Sequence, residues 1–145
     1  MATIDQATGV VESLPFKVLR HQLTGSAWFF GEGKDVDILV EAADINDAIV
    51  ELDYTGWVIA EGYEELKADG WCAARKGDIN LLVCSSDGEH YVNMVGGALV
   101  CKALALSGLL RADDKDTRIL IHRALTGEQI DFGLCTMQNG EVVQK

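Results

Sequence analysis

A single proline, Pro15, stands in 145 residues, so almost no position is barred from a helix interior or a central strand. No apolar run reaches the ~20 residues that span a bilayer, so no membrane-spanning helix is expected. "MATIDQATGVVESLP" lacks a basic region followed by an apolar one. It is therefore not read as a signal peptide, and the expected location is the cytoplasm. The cysteines at 72, 84, 101 and 135 form no C-x-x-C pair, and His21, His90 and His122 form no H-x-x-x-H. A zinc centre is not expected, and the thiols are read as buried and reduced. Positive charge is scarce: 12 Lys and Arg face 23 Asp and Glu, a net −11. A chain of that sign repels phosphate backbones, so nonspecific nucleic-acid binding is not expected. The charge suits solubility, a cation-dependent site or a basic protein partner.

What is present is an ordinary globular composition, with 48% apolar and 24% charged residues and fifteen glycines. The length favours one domain over residues 1–145. No repeat, low-complexity tract or linker interrupts it. In "VVESLPFKVLRHQL", Ser13 is a candidate N-cap with Pro15 in the first turn, and Phe16, Leu19 and Leu23 follow a helical period. Residues 14–23 read as a helix, with an extended path before Gly25 as the alternative. "DVDILVEA" reads as a strand, Val36, Ile38 and Val40 on one side and Asp35 and Asp37 on the other. Asp44 caps a helix that Gly56 ends. "GYEELKADG" reads as a loop. Residues 71–75 and 79–85 read as two strands joined at Lys76-Gly77. Residues 89–110 read as a buried helix in which Gly96-Gly97 allows close packing. Another helix runs from Asp114 to Gly127, and Asn139-Gly140 marks a terminal hairpin. The order predicts an α+β fold, a small mixed sheet with flanking helices.

The chemistry concentrates in "TGSAWFFGEGKDVDILVEA". Asp35 and Asp37 lie at i and i+2 of a strand and share a face. Their charges repel unless something positive lies between them. A hard divalent cation, Mg²⁺ or Mn²⁺, answers that and keeps positions open for phosphate oxygens. The plain alternative is a solvated strand face. Gly25 allows close backbone approach to a phosphate and Ser26 supplies a hydroxyl. Gly31 and Gly33 make the intervening loop pliable. A P-loop is excluded, because Trp28 stands where its first glycine belongs. An EF-hand lacks its third acid and its twelfth-position glutamate. Lys102, Arg111, Lys115, Arg118 and Arg123 are candidate triphosphate contacts, or simply solvated helix positions. Trp28 is a candidate for base stacking. Trp57, Trp71, Tyr91 and Met94 are read as core.

Gly-Ser, a short segment and D-x-D followed by apolar residues resembles the signature of the DNA polymerase beta-type nucleotidyltransferase superfamily. "RKGDINLLVCSS", with Arg75, Gly77 and Asn80 to Val83, resembles a strand of small nucleotidyltransferase-like proteins of tailed bacteriophages. The resemblance implies a minimal nucleotidyltransferase-type fold and transfer of NMP from an NTP to a hydroxyl acceptor that the sequence does not identify. It implies Gly25 and Ser26 on the triphosphate and Asp35 and Asp37 on Mg²⁺ or Mn²⁺. A third acid is expected on a later strand. Asn80 holds that place here, and Asp78 stands two residues earlier, beside the turn. An asparagine carries no charge. The alternative is therefore a catalytically degenerate, phage-encoded domain that binds nucleotide without turnover or inhibits a host protein in the host cytoplasm.

Overall fold

The computed structural model describes residues 3–31, 33–125, 130–131, 135–138 and 141–144, with side chains described as far as residue 123. A 3-10 turn, Ile4–Gln6, leads into α1, Ala7–Glu12. The chain then runs through β1 (Val18–Thr24), α2 (Gly25–Phe30), β2 (Val36–Ala42), α3 (Ile45–Tyr54), β3 (Val58–Ile59) and α4 (Tyr63–Ala68). β4 (Trp71–Lys76), β5 (Ile79–Ser85), α5 (His90–Leu106) and α6 (Lys115–Leu125) follow. β6 (Ile130–Asp131), β7 (Cys135–Gln138) and β8 (Glu141–Gln144) form a small separate sheet.

The main sheet has the order β1-β2-β5-β4-β3. β2 and β5 are parallel and every other pair is antiparallel. β2 is an interior strand buried on both faces, because its two sets of side chains feed two different cores. Val36, Ile38, Val40 and Ala42 meet α3 residues Ala48, Ile49 and Leu52, with Trp57 beside them. Leu39 meets Phe29 of α2 and Tyr91, Ala98 and Cys101 of α5 on the opposite face. The mixed α+β class predicted from the sequence is the one observed.

Asp44 caps α3 as expected, its carboxylate accepting from the Asn46 and Asp47 amides at 2.9 and 3.2 Å. Asp44→Ala is expected to cost about 1 kcal/mol, read as a lower denaturant midpoint at unchanged slope.

Four expectations are corrected. Residues 14–23 are not a helix. The helix ends at Glu12, Ser13 closes it by donating its hydroxyl to the Val10 carbonyl at 2.9 Å, and Pro15 follows the stop. Residues 18–24 are extended, the alternative path. Pairing with β2 decides this, since it supplies partners for a strand edge, and Arg20 reaches Glu41 across the pair at 2.7 Å. The loop expected over 62–70 contains α4. It starts at left-handed Gly62 (φ +76°) and carries Glu64 and Glu65 in its first turn, with Lys67 pairing to Glu64 at 3.3 Å. Its lack of an apolar stripe hid it. The β4–β5 turn is Gly77-Asp78 rather than Lys76-Gly77, because Lys76 and Ile79 already face each other. Helix α5 is buried on one side only: Val92, Leu99 and Leu106 are exposed.

Gly97 does allow close packing. A Cβ there would fall on the His122 ring of α6. Trp57 and Tyr91 are buried, and Cys72, Cys84 and Cys101 are buried free thiols. Burial pushes the Cys72 thiol up to about 11 and the Cys84 thiol up to about 12, which keeps both unreactive at neutral pH. β7 and β8 pair antiparallel with Gln138 opposite Glu141; the turn is expected at Asn139-Gly140. Those two residues, and Gly127, lie outside the described set.

Candidate functional site

Strand register builds the site. Thr24 of β1 faces Asp37 of β2, Asp37 faces Asn80 of β5, Asn80 faces Arg75 of β4, and Arg75 faces Val58 of β3. Facing residues put their side chains on the same side of a sheet, so this row crosses all five strands on one face. Gly25 and Ser26 follow Thr24 directly, at the start of α2. The pair expected to grip phosphate therefore stands beside the acid expected to grip metal.

The closeness is tight. Gly25 has φ +80°, and a Cβ built on it would overlap the Asp37 carboxylate. Asp37 also accepts a hydrogen bond from the Asn80 amide at 2.8 Å. Burial pushes its pKa above the ordinary value of 3.8, and Asp35 adds to the rise; the Asn80 hydrogen bond and the charges of Arg75 and Arg118 oppose it. Asp35 itself is held by Arg75, Nη2 to Oδ1 at 2.7 Å and Nη1 to Oδ2 at 3.4 Å. The same Nη1 donates to the Asn80 carbonyl at 3.3 Å. Asp78 sits in the β4–β5 turn, where its carbonyl accepts from the Val36 amide at 2.8 Å. Asp35, Asp37 and Asn80 thus come together, and the backbone of Asp78 ties the turn to β2.

On the other side of Asp37 opens a cavity of about 320 Å³ lined by Gly25, Ser26, Asp37, Lys115, Arg118 and His122 among others. Arg118 Nη1 donates to Ser26 Oγ at 2.8 Å, and its guanidinium lies 5.4 Å from the Phe30 ring centre. Lys115, Arg118 and His122 stand at i, i+3 and i+7 on one face of α6. That spacing was the available signal for the face, and the sequence reading named its two cations without the histidine. His122 Nδ1 is buried without a hydrogen-bond partner, and burial together with Arg118 lowers its pKa. Trp28, the stacking candidate, carries Lys102 Nζ 5.0 Å above its ring. A larger cavity of about 820 Å³ lies beside α3 and β3, but among the described residues its charged lining is Asp53 and Glu61, with no cation.

No protein-family model matches the chain, and no curated protein does either. A crystal structure of conserved protein GrpB from Enterococcus faecalis is similar in fold, with a TM-score of 0.50 at 15% identity, covering 83% of this chain and 88% of that one. The likeness is one of fold, and this chain's five-stranded mixed sheet with flanking helices is consistent with a small nucleotidyltransferase-type one. At that identity the likeness concerns architecture, and the chemistry has to come from the side chains of this chain.

In nucleotidyltransferase-type folds the resemblance implies a divalent ion between the two aspartates. Among the described residues no three His, Cys, Asp or Glu side chains converge as metal ligands. Asp35 is already in a two-point ion pair, and Asn80 contributes an amide where a third charge is expected. As arranged, these residues do not fit a divalent ion.

Asp37 gives a pH prediction. A carboxylate whose folded pKa is raised binds its proton more tightly in the native state, so stability falls as pH rises from the unfolded value through the folded one. Asp37→Asn, which keeps an oxygen to accept from Asn80, is expected to melt higher than wild type at pH 7. The gap should close as pH approaches 3.8. Thermal melts of both proteins across that range check it; a pH-independent gap would disprove it.

Proposed function

We propose that this chain binds a nucleoside triphosphate through its phosphates in the cavity between Gly25-Ser26 and α6. The supporting observation is that Arg118 of α6 reaches Ser26 at 2.8 Å across that cavity, with Lys115 one turn away. Guanidinium and ammonium groups pair strongly with phosphate oxygens, and a Ser hydroxyl adds a further donor. Gly25, having no side chain, lets the Asp37 carboxylate lie against its backbone at the wall of this cavity. The row from Asp37 to Arg75 then lies where the far end of a bound phosphate chain would point.

A second reading is transfer of NMP to a hydroxyl acceptor, favoured by Asp35, just before β2, and Asp37 within it being joined through Arg75 and Asn80. It needs Arg75 to leave Asp35 before Mg²⁺ or Mn²⁺ has two free carboxylates. The acceptor is then a small molecule or a protein hydroxyl, and the working compartment is the cytoplasm, that of the host if the chain is phage-encoded. Among the described residues no helix is long and apolar enough to cross a membrane.

Calorimetry with ATP, GTP, CTP and UTP, with the matching nucleosides as controls, tests the proposal. Binding of at least one triphosphate, displaced by inorganic tripolyphosphate, is expected. Absence of binding for all four overturns it. Pyrophosphate release from a labelled NTP in the presence of Mg²⁺ would select the second reading.

A further inference from the structure

Asparagine at position 80 looks like a lost carboxylate, yet its two ends are both engaged. Its carbonyl oxygen accepts from Arg75 Nη1 at 3.3 Å, while its amide donates to Asp37 Oδ1 at 2.8 Å. An aspartate at this point could accept from Arg75 but could not donate to Asp37, and its charge would repel that carboxylate. Asparagine is the residue that joins a cation on one side to an anion on the other.

Arg75 is built for the cation's part. Nη2 and Nη1 take the two oxygens of Asp35 at 2.7 and 3.4 Å, and Nε donates to the Gly77 carbonyl at 3.1 Å in its own turn. With the bond to Asn80, the guanidinium makes four hydrogen bonds of fixed direction. A planar fork in that setting is a held charge rather than a roaming one. The positive charge that two aspartates so close in sequence call for is thus supplied from β4.

We infer that Arg75, linked through Asn80 to Asp37, is a resident cation that takes the place of a divalent metal at the Asp35–Asp37 pair, so that the chain takes up a polyphosphate without a metal ion. The polyphosphate half rests on the nucleotide-binding reading above; the Arg75 half does not. The ligand class is a free triphosphate chain, met by Arg118 and Lys115, rather than its Mg²⁺ complex.

Two measurements on the full chain test this. The first is Mn²⁺ titration followed by electron paramagnetic resonance, on wild type, Asn80→Asp and the double variant Arg75→Gln, Asn80→Asp. Wild type is expected to leave the free Mn²⁺ signal undiminished. The double variant frees Asp35 and adds a carboxylate, and is expected to bind Mn²⁺ roughly 10–100-fold more tightly. The second is calorimetry with sodium tripolyphosphate in EDTA and in Mg²⁺, where wild type is expected to bind equally. Wild-type Mn²⁺ binding as tight as that of the double variant overturns the inference. So does a folded double variant that gains none, or tripolyphosphate binding that requires Mg²⁺. Should the double variant not fold, the wild-type titration still decides. Absence of tripolyphosphate binding in both buffers, with Mn²⁺ free in wild type and captured by the double variant, removes the nucleotide reading and leaves Arg75 as the resident cation.

Discussion

Gly25→Val is expected to abolish triphosphate binding and, with it, a large part of the protein's stability. The backbone at Gly25 is left-handed, φ +80°, where a non-glycine residue costs about 1–3 kcal/mol. A Cβ there would also strike the Asp37 carboxylate, and overpacking of that kind costs about 1–3 kcal/mol more. Asp37 has little room to retreat, because the Asn80 amide holds it at 2.8 Å. Together these losses are expected to lower the melting temperature by roughly 5–20 °C for a chain of this size. Gly25→Ala separates the effects: it keeps most of the strain and adds less bulk at the cavity mouth. Thermal melts and tripolyphosphate calorimetry on both variants provide the check. A Gly25→Val protein that melts like wild type would show that the loop relaxes freely and that its contact with Asp37 is not rigid.

Arg118→Ala should weaken triphosphate binding with a smaller effect on the fold. Removing a charged hydrogen-bond donor from a phosphate costs about 1.5–3 kcal/mol, which is roughly 10–100-fold in affinity. The fold loses one bond to Ser26 and one contact with the Phe30 ring. Ser26→Ala is the companion variant. It removes the hydroxyl that Arg118 touches but leaves the cation, and is expected to have the milder effect on binding. Equal affinity of wild type and Arg118→Ala by calorimetry would move the phosphates away from α6. Arg118→Lys keeps the charge without the planar fork, so partial binding there would assign the role to charge rather than geometry.

The sequence reading and the structure part company at particular residues. Leu19 and Leu23 keep a helical period, but Leu19 is 47% exposed in a strand, so that spacing reported no buried helix face. The α4 segment has the opposite problem. It is a helix with no buried residue, held by a glycine start, acidic residues in the first turn and one ion pair, and periodicity cannot see such a helix. Arg75 was read as part of a strand pattern, while its role as partner of Asp35 depends on a contact spanning 40 residues. Arg118 meets Ser26 across 92 residues, and nothing local to either one signals the other.

By itself the amino-acid sequence determined β2, from Val36, Ile38 and Val40 alternating with Asp35 and Asp37, and α3, from the Asp44 cap and its apolar spacing. It also determined the β4 and β5 strands, helices α5 and α6, and the Gly-Ser and D-x-D residues as the chemically distinctive stretch. Each of these rests on signals a few residues long, which the chain carries whatever surrounds it. Tertiary structure alone decided that residues 18–24 pair as a strand, since strand formation depends on the neighbour more than on intrinsic preference. It alone set the register that aligns Thr24, Asp37, Asn80 and Arg75, because a slip of one residue would send those side chains to the opposite face. And it alone gave the Asp35 charge its partner, because an ion pair forms only where the fold brings two distant side chains within reach.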